Sequence, residues 1–175
     1  MSSGGAALSD ALNKVNRKWL FGAVLGLILW MLISYLLKPS VTIQAGMPAP
    51  DFALESTDGK VFTLSQLRGV PFILNFWGDD CPECINELQE KIRFARSHPE
   101  FEMLGVAVES GGLEVLAAKR KELGITYPVV ESNAEVEANY GVTVLPMTVL
   151  IDDQGVIQQV HQGEVSKQRM TGWTL

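Results

Sequence analysis

The sequence predicts an α/β fold, a sheet covered by helices on both sides, opened by an added N-terminal β-hairpin and preceded by one transmembrane helix. Three observations predict it. A nineteen-residue run near the start carries no charge, short β-rich runs alternate with helical patterns through the rest, and interior runs such as "VPFILNFW" are apolar on both faces. At 175 residues and 47% hydrophobic content, the chain holds one core of ordinary size with a segment left over.

That segment is "WLFGAVLGLILWMLISYLL", Trp19 to Leu37. As a helix it would span about 28 Å, close to the hydrocarbon thickness of a bilayer. The alternatives are a buried core helix, a cleaved signal and an amphipathic surface helix. The run is apolar on every side, which argues against a surface helix, and it exceeds the apolar region of a signal peptide. In "KPSVTIQAGMPAP", which follows, only Ala45 offers a poor cleavage site, so an uncleaved anchor is expected. Lys14, Arg17 and Lys18 precede the run against a single Asp10, and only Lys38 follows it before Asp51. Positive flanks stay inside, which makes residues 1–18 a cytoplasmic segment and 19–37 the anchor, with everything after Pro39 outside. Gly22 and Gly26 form a small-residue pair, a weak dimerisation signal in a span that reads as a simple anchor.

Residues 38–47 read as a linker, broken by Pro39 and Gly46, and residues 48–175 as a single domain. From residue 38 onward 11 basic residues face 19 acidic ones, a net charge of −8, which makes nucleic acid and anionic lipid poor partners. The one basic cluster, Lys119-Arg120-Lys121, falls behind Leu113, Leu116 and Leu123 and reads as the solvated back of a helix. "DFALESTDGKVFTL" pairs two short runs around Asp58-Gly59, a hairpin signal. "FILNFW", "MLGVAV" and "YPVV" follow as strands separated by helices, and the last two apolar runs flank Asp152 to Gly155 as a closing antiparallel hairpin.

The only cysteines, Cys81 and Cys84, stand in "NFWGDDCPECINEL". A strand feeds a turn of Gly78, Asp79 and Asp80, and a helix begins at about Cys81, with Pro82 in the first turn where its missing N–H costs nothing. Unpaired N–H groups and the positive helix end then stabilise a Cys81 thiolate, the species that attacks disulfides. Cys84, one turn on, lies on the same face and resolves the mixed disulfide into an intramolecular one. A zinc site is the first alternative. It lacks ligands, because His98 and His161 match no finger or ribbon spacing. A structural staple is the second, and a two-residue loop closes too little chain to stabilise much. No Gly-x-Gly-x-x-Gly run is present to bind a nicotinamide or flavin, so the expected redox group is the Cys81–Cys84 disulfide itself, with no other cofactor and no metal.

"FWGDDCPEC", together with "VLPMTVLID" some sixty residues later, resembles the membrane-anchored thioredoxin-like proteins TlpA, ResA and CcmG. The resemblance runs from about Gly46 to about Gly163. It implies a thioredoxin-like fold with the added hairpin and thiol-disulfide oxidoreductase activity outside the cytoplasmic membrane. It further implies that Pro146 is cis and lies beside the dithiol, where the Leu145 backbone pairs with a substrate peptide. An ordinary turn proline before a strand is the alternative. Leu145, Pro146 and Trp77 are the expected docking residues. Glu87 matches the acidic residue that this family carries on the active-site helix and is expected to handle the exchanged proton; the alternative is a solvated glutamate like Glu90.

The sequence departs from the family pattern before the first cysteine, where tryptophan is usual and Asp80 stands. Asp80, with Asp79 and Glu83 close by, disfavours a further negative charge on sulfur and points toward a reductant, unless Asp80 caps the helix and turns away. The expected function is therefore reduction of disulfides in exported proteins, apocytochrome c among them, with electrons from a membrane donor of thiol type. A copper-binding chaperone using the same pair with His161 or Met147 is one alternative. A thiol peroxidase is another, although "NFWGDD" lacks the Pro-x-x-x-Thr-x-x-Cys setting it needs. The chain after Gly163 is expected to form only a short or incomplete closing helix, with Met170, Trp173 and Leu175 as its apolar anchors.

Overall fold

The computed structural model describes the backbone of residues 5–36 and 43–173 and the side chains of residues 19–34 and 43–173. It divides into two units, Met1–Pro39 and Ser40–Leu175. In the first, helix α1 covers Gly5–Leu36 and so continues back through most of the segment expected to be cytoplasmic. Its described side chains are exposed, Trp19 at 77% and Phe21 at 70% among them. Among the described residues no helix is long and apolar enough to cross a membrane. The described side chains of α1 stop at Ser34, short of the nineteen-residue run, and Leu37 lies outside the described residues.

In the second unit, strands β1 (Ala53–Glu55) and β2 (Val61–Thr63) pair antiparallel with Ala53 opposite Thr63 and Glu55 opposite Val61. Gly59 takes φ +75° in the turn, a conformation that costs glycine little, and the Ser56 hydroxyl donates to Asp58 at 2.6 Å. The predicted hairpin is thus formed. Its tip donates from Thr57 N to the Val129 carbonyl at 2.9 Å, which covers a sheet edge that would otherwise be open.

The main sheet contains β3 (Phe72–Trp77), β4 (Glu102–Ala107), β5 (Val129–Glu131), β6 (Met147–Ile151) and β7 (Ile157–Gln162) in the order β5-β4-β3-β6-β7. β4 runs parallel to β3 and to β5, whereas β6 and β7 are antiparallel to their neighbours. All six residues of β3 are buried, as expected of a central strand covered on both faces. Phe72, Leu74 and Phe76 point to one face, with Leu104, Val106 and Met147. Helix α4 (Ala134–Tyr140) and the hairpin cover that face through Val136, Tyr140 and Leu54. Ile73 and Trp77 point to the other, covered by α2 (Pro82–Ser97), α3 (Leu113–Glu122) and α5 (Lys167–Thr171). The basic cluster on α3 follows its prediction: Leu116 is buried, Lys121 is exposed, and Lys119 pairs with Glu122 at 3.2 Å.

One boundary moves. Residues 43–47, expected to be linker, are joined to the sheet: Gly46 N donates to the Ile157 carbonyl at 2.7 Å, Ile157 N donates back to Met47 at 2.9 Å, and Ile43 is buried. Local composition there signals a break in regular structure, but backbone pairing to β7 is non-local and leaves no trace in it. Residues 38–42 of that linker lie outside the described residues. The closing helix is short, as expected, and Met170 is its buried anchor.

Candidate active site

Strand β3 ends at Trp77, and the chain turns through Gly78, Asp79 and Asp80 into α2. Cys81 is the N-cap of α2, extended at φ −93° and ψ 106°, and Pro82 takes the first helical position. Asp80, the other candidate cap, is exposed and does not fill that role. The Cys81 sulfur itself accepts the Cys84 backbone N–H at 3.2 Å. An orphan donor of the helix start is therefore spent on the sulfur, an interaction that favours negative charge there.

Cys81 and Cys84 are joined as a disulfide with their Cα atoms 5.2 Å apart. Cys84 is 2% exposed and packs with Leu88 and Ile92 under the helix, while Cys81 is only half-buried. Only the first sulfur is open to a partner. A Glu83 carboxylate oxygen lies 4.0 Å from it, and Asp79 and Asp80 directly precede it in the chain.

Leu145–Pro146 is a cis peptide. A methyl group placed on Gly78 would touch both Cys81 Cβ and Leu145 Cδ1 at 3.5 Å, so Leu145 and the first cysteine flank the same glycine. Leu145 is half-buried and Pro146 buried, with the Pro146 carbonyl accepting from Gly163 at 2.8 Å. Trp77 is not at this surface: it is 1% exposed, within the core beneath the helix. A strand apolar on both faces gives no sign of which end of it meets solvent, which is why sequence reading put Trp77 among the docking residues.

Glu87 is 4% exposed, so it is not the solvated glutamate that was the alternative. One carboxylate oxygen accepts the Val165 backbone N–H at 2.6 Å, and the other forms an ion pair with Lys91 one turn on. Lys91 is 0% exposed, and its ammonium also donates to Asn75 on β3 and to Thr148 on β6, the latter at 2.7 Å. Burial pulls the Lys91 ammonium down to about 8, with the Glu87 carboxylate opposing. Burial likewise raises the Tyr127 hydroxyl well above its ordinary range. Lys91, Asn75 and Thr148 were missed from the sequence. Their signal is present: a lysine on the same face as Cys84, Leu88 and Ile92, and one polar residue inside "FILNFW".

The two candidate copper ligands are otherwise engaged. Met147 is fully buried in the cluster on the opposite face of the sheet, and His161 Nε2 meets the Glu164 carbonyl at 3.0 Å. Among the described residues no three His, Cys, Asp or Glu side chains converge as a metal site.

A capped, half-open sulfur with a buried partner one turn behind it is suited to thiol–disulfide exchange, and the sheet that presents it is thioredoxin-like. The protein is thus a thiol-disulfide oxidoreductase by class. Residues 45–160 match the AhpC/TSA family, and the chain belongs to that family. It is 30% identical over 162 residues to "Thioredoxin-like protein YneN" of Bacillus subtilis, covering 88% of this chain and 95% of that one. It is 34% identical over 131 residues to "Thiol-disulfide oxidoreductase ResA" of the same organism, covering 72% of each. A thioredoxin-family thiol:disulfide interchange protein from Chlorobium tepidum has the same fold, with a TM-score of 0.65 and 28% identity over 74% of this chain and 94% of that one.

Proposed function

We propose that the protein is a membrane-anchored reductase that delivers electrons to disulfides of exported proteins. The observation that carries this reading is the environment of Cys81. Its sulfur accepts the helix-start N–H of Cys84 and lies 4.0 Å from a Glu83 carboxylate oxygen, and two further acidic residues, Asp79 and Asp80, stand directly before it in the chain. The first favours thiolate and the second opposes it, so the reduced form is not held as strongly as in a powerful oxidant. Cys81 attacks, and one substrate sulfur leaves as thiolate. Cys84 then loses its proton and attacks Cys81, the second substrate sulfur leaves, and two electrons have passed to the substrate. Glu87 is the carboxylate within one turn of Cys84 for that proton, and Leu145 and Pro146 form the docking edge.

The anchor is residues 19–37, whose described apolar side chains are exposed in α1. The domain is then outside, and its electrons come from a membrane protein of thiol type. Apocytochrome c cysteine pairs are the substrate that the resemblance to ResA supports. The reduction potential of the Cys81/Cys84 couple tests the direction. A value near thioredoxin's, about −270 mV, supports a reductase; one near about −120 mV makes the protein an oxidant and overturns the reading.

A further inference from the structure

The active-site helix carries a fully buried lysine that the exchange chemistry does not by itself require. Lys91 lies on the same face of α2 as Cys84 and Glu87, seven and four residues beyond them, and its ammonium bridges the helix to two neighbouring strands through Asn75 and Thr148. A buried ammonium is costly unless paired, and here every contact serves to fix it in place. What it fixes in turn is Glu87, whose other oxygen is held by Val165 N–H. A carboxylate buried without a counter-charge takes up a proton and ceases to be an acceptor.

We propose that Lys91 is a positioning residue for dithiol exchange: held by Asn75 and Thr148, it keeps Glu87 an ionised proton acceptor one turn from Cys84. This rests on the oxidoreductase reading and adds a device to it. In the resolving step the Cys84 S–H bond breaks and its proton goes to the Glu87 carboxylate. The Cys84 electron pair then forms the bond to Cys81 as the substrate sulfur leaves as thiolate. Glu87 afterwards releases the proton toward the opening between α2 and the C-terminal segment, a cavity of about 480 Å³ lined by Asn86, Glu90, Glu164 and Arg169 as well as Glu87 itself. Lys91 stays charged throughout, and no net charge is left under the helix in the resting state.

Other ionisable groups face this cluster. Tyr127 approaches from the stretch before β5, Glu90 sits on α2, Glu164 and Arg169 on the C-terminal segment, and His161 on β7 opposite Thr148. His161 is the imidazole among them, and the test must separate it from Glu87.

The test is the pH profile of the single-turnover oxidation of the reduced full-length chain by oxidised glutathione, followed by intrinsic tryptophan fluorescence. Lys91→Met should add an ionisation between about pH 5 and 8, with the rate falling about tenfold or more on its acid side. Glu87→Gln/Lys91→Met should lose that added ionisation while keeping His161. A Lys91→Met profile that superimposes on the wild type overturns the proposal, and so does an added ionisation that persists in the double variant. As a measurement independent of the folding of Lys91→Met, the ¹³C carboxyl signal of Glu87 in the wild type, assigned by its loss in Glu87→Gln, should be that of a carboxylate from pH 6 to 8. A protonated signal there overturns the proposal as well. Failure of the wild type to exchange at all would instead sink the oxidoreductase reading.

Discussion

Glu87 and Lys91 are energetically one object, and the cost of touching either differs from the cost of removing both. Glu87→Gln or Lys91→Met leaves one buried charge without its partner, which should lower stability by about 3–5 kcal/mol. The double variant removes both charges and should recover most of that loss, which urea denaturation of the three variants would read. Their pH dependence has a definite sign. Lys91 titrates at about 8 when folded against 10.5 ordinarily, so between those values the unfolded chain binds the extra proton. Stability relative to the double variant should therefore rise from pH 8 to 10.5, and be lost again as pH falls through 8. A flat difference across that window would show that Lys91 is not held as described. The two cysteines should also separate by role: Cys84→Ser should trap a mixed disulfide with a substrate, and Cys81→Ser should trap none, as non-reducing gels would show. The half-open position of Cys81 and the 2% exposure of Cys84 dictate that order.

Elements whose cause is local were legible in the sequence, and elements whose cause is remote were not. Asp58-Gly59 predicts its hairpin because only a few residue types accept the turn, and Pro82 predicts the start of α2 because it fits the first turn and little else. The cysteine pair itself was legible for the same reason. The cradle around Lys91 was not, since Thr148 stands 57 residues away and nothing in either neighbourhood announces the other. Docking of residues 43–47 on β7 was hidden in the same way. Packing around Gly105 shows how tightly these remote contacts constrain the elements. On β4, a Cβ added to Gly105 would stand 3.1 Å from a Tyr127 ring carbon and 3.3 Å from Trp77 Nε1. Gly105→Ala should thus destabilise the domain by about 1–3 kcal/mol, as the aromatic rings in this packed interior must shift to admit the methyl group. A thermal melt equal to that of the wild type would mean that β4 and the segment before β5 have slack the packing does not suggest.

At the scale of the whole chain, an acidic stretch of net charge −8, residues 38–175, follows a run with no charge at all, and the two halves call for different surroundings. The acidic half has no reason to bind an anionic membrane surface, so any membrane association must come from residues 19–37 rather than from electrostatics. In the proposed topology, the positive flank before that run would set which side the dithiol faces. Both steps are measurable on one protein. The full-length chain should sediment with membranes and stay there through alkaline carbonate, while a chain beginning at Ser40 should remain in the supernatant. In intact spheroplasts, a membrane-impermeant maleimide should label Cys81 of reduced Cys84→Ser without permeabilisation. Labelling that needs the membrane opened would put the dithiol on the cytoplasmic side, where a thioredoxin-like reductase of this kind would have no exported substrate to reduce, and the proposed function would have to be abandoned with the topology.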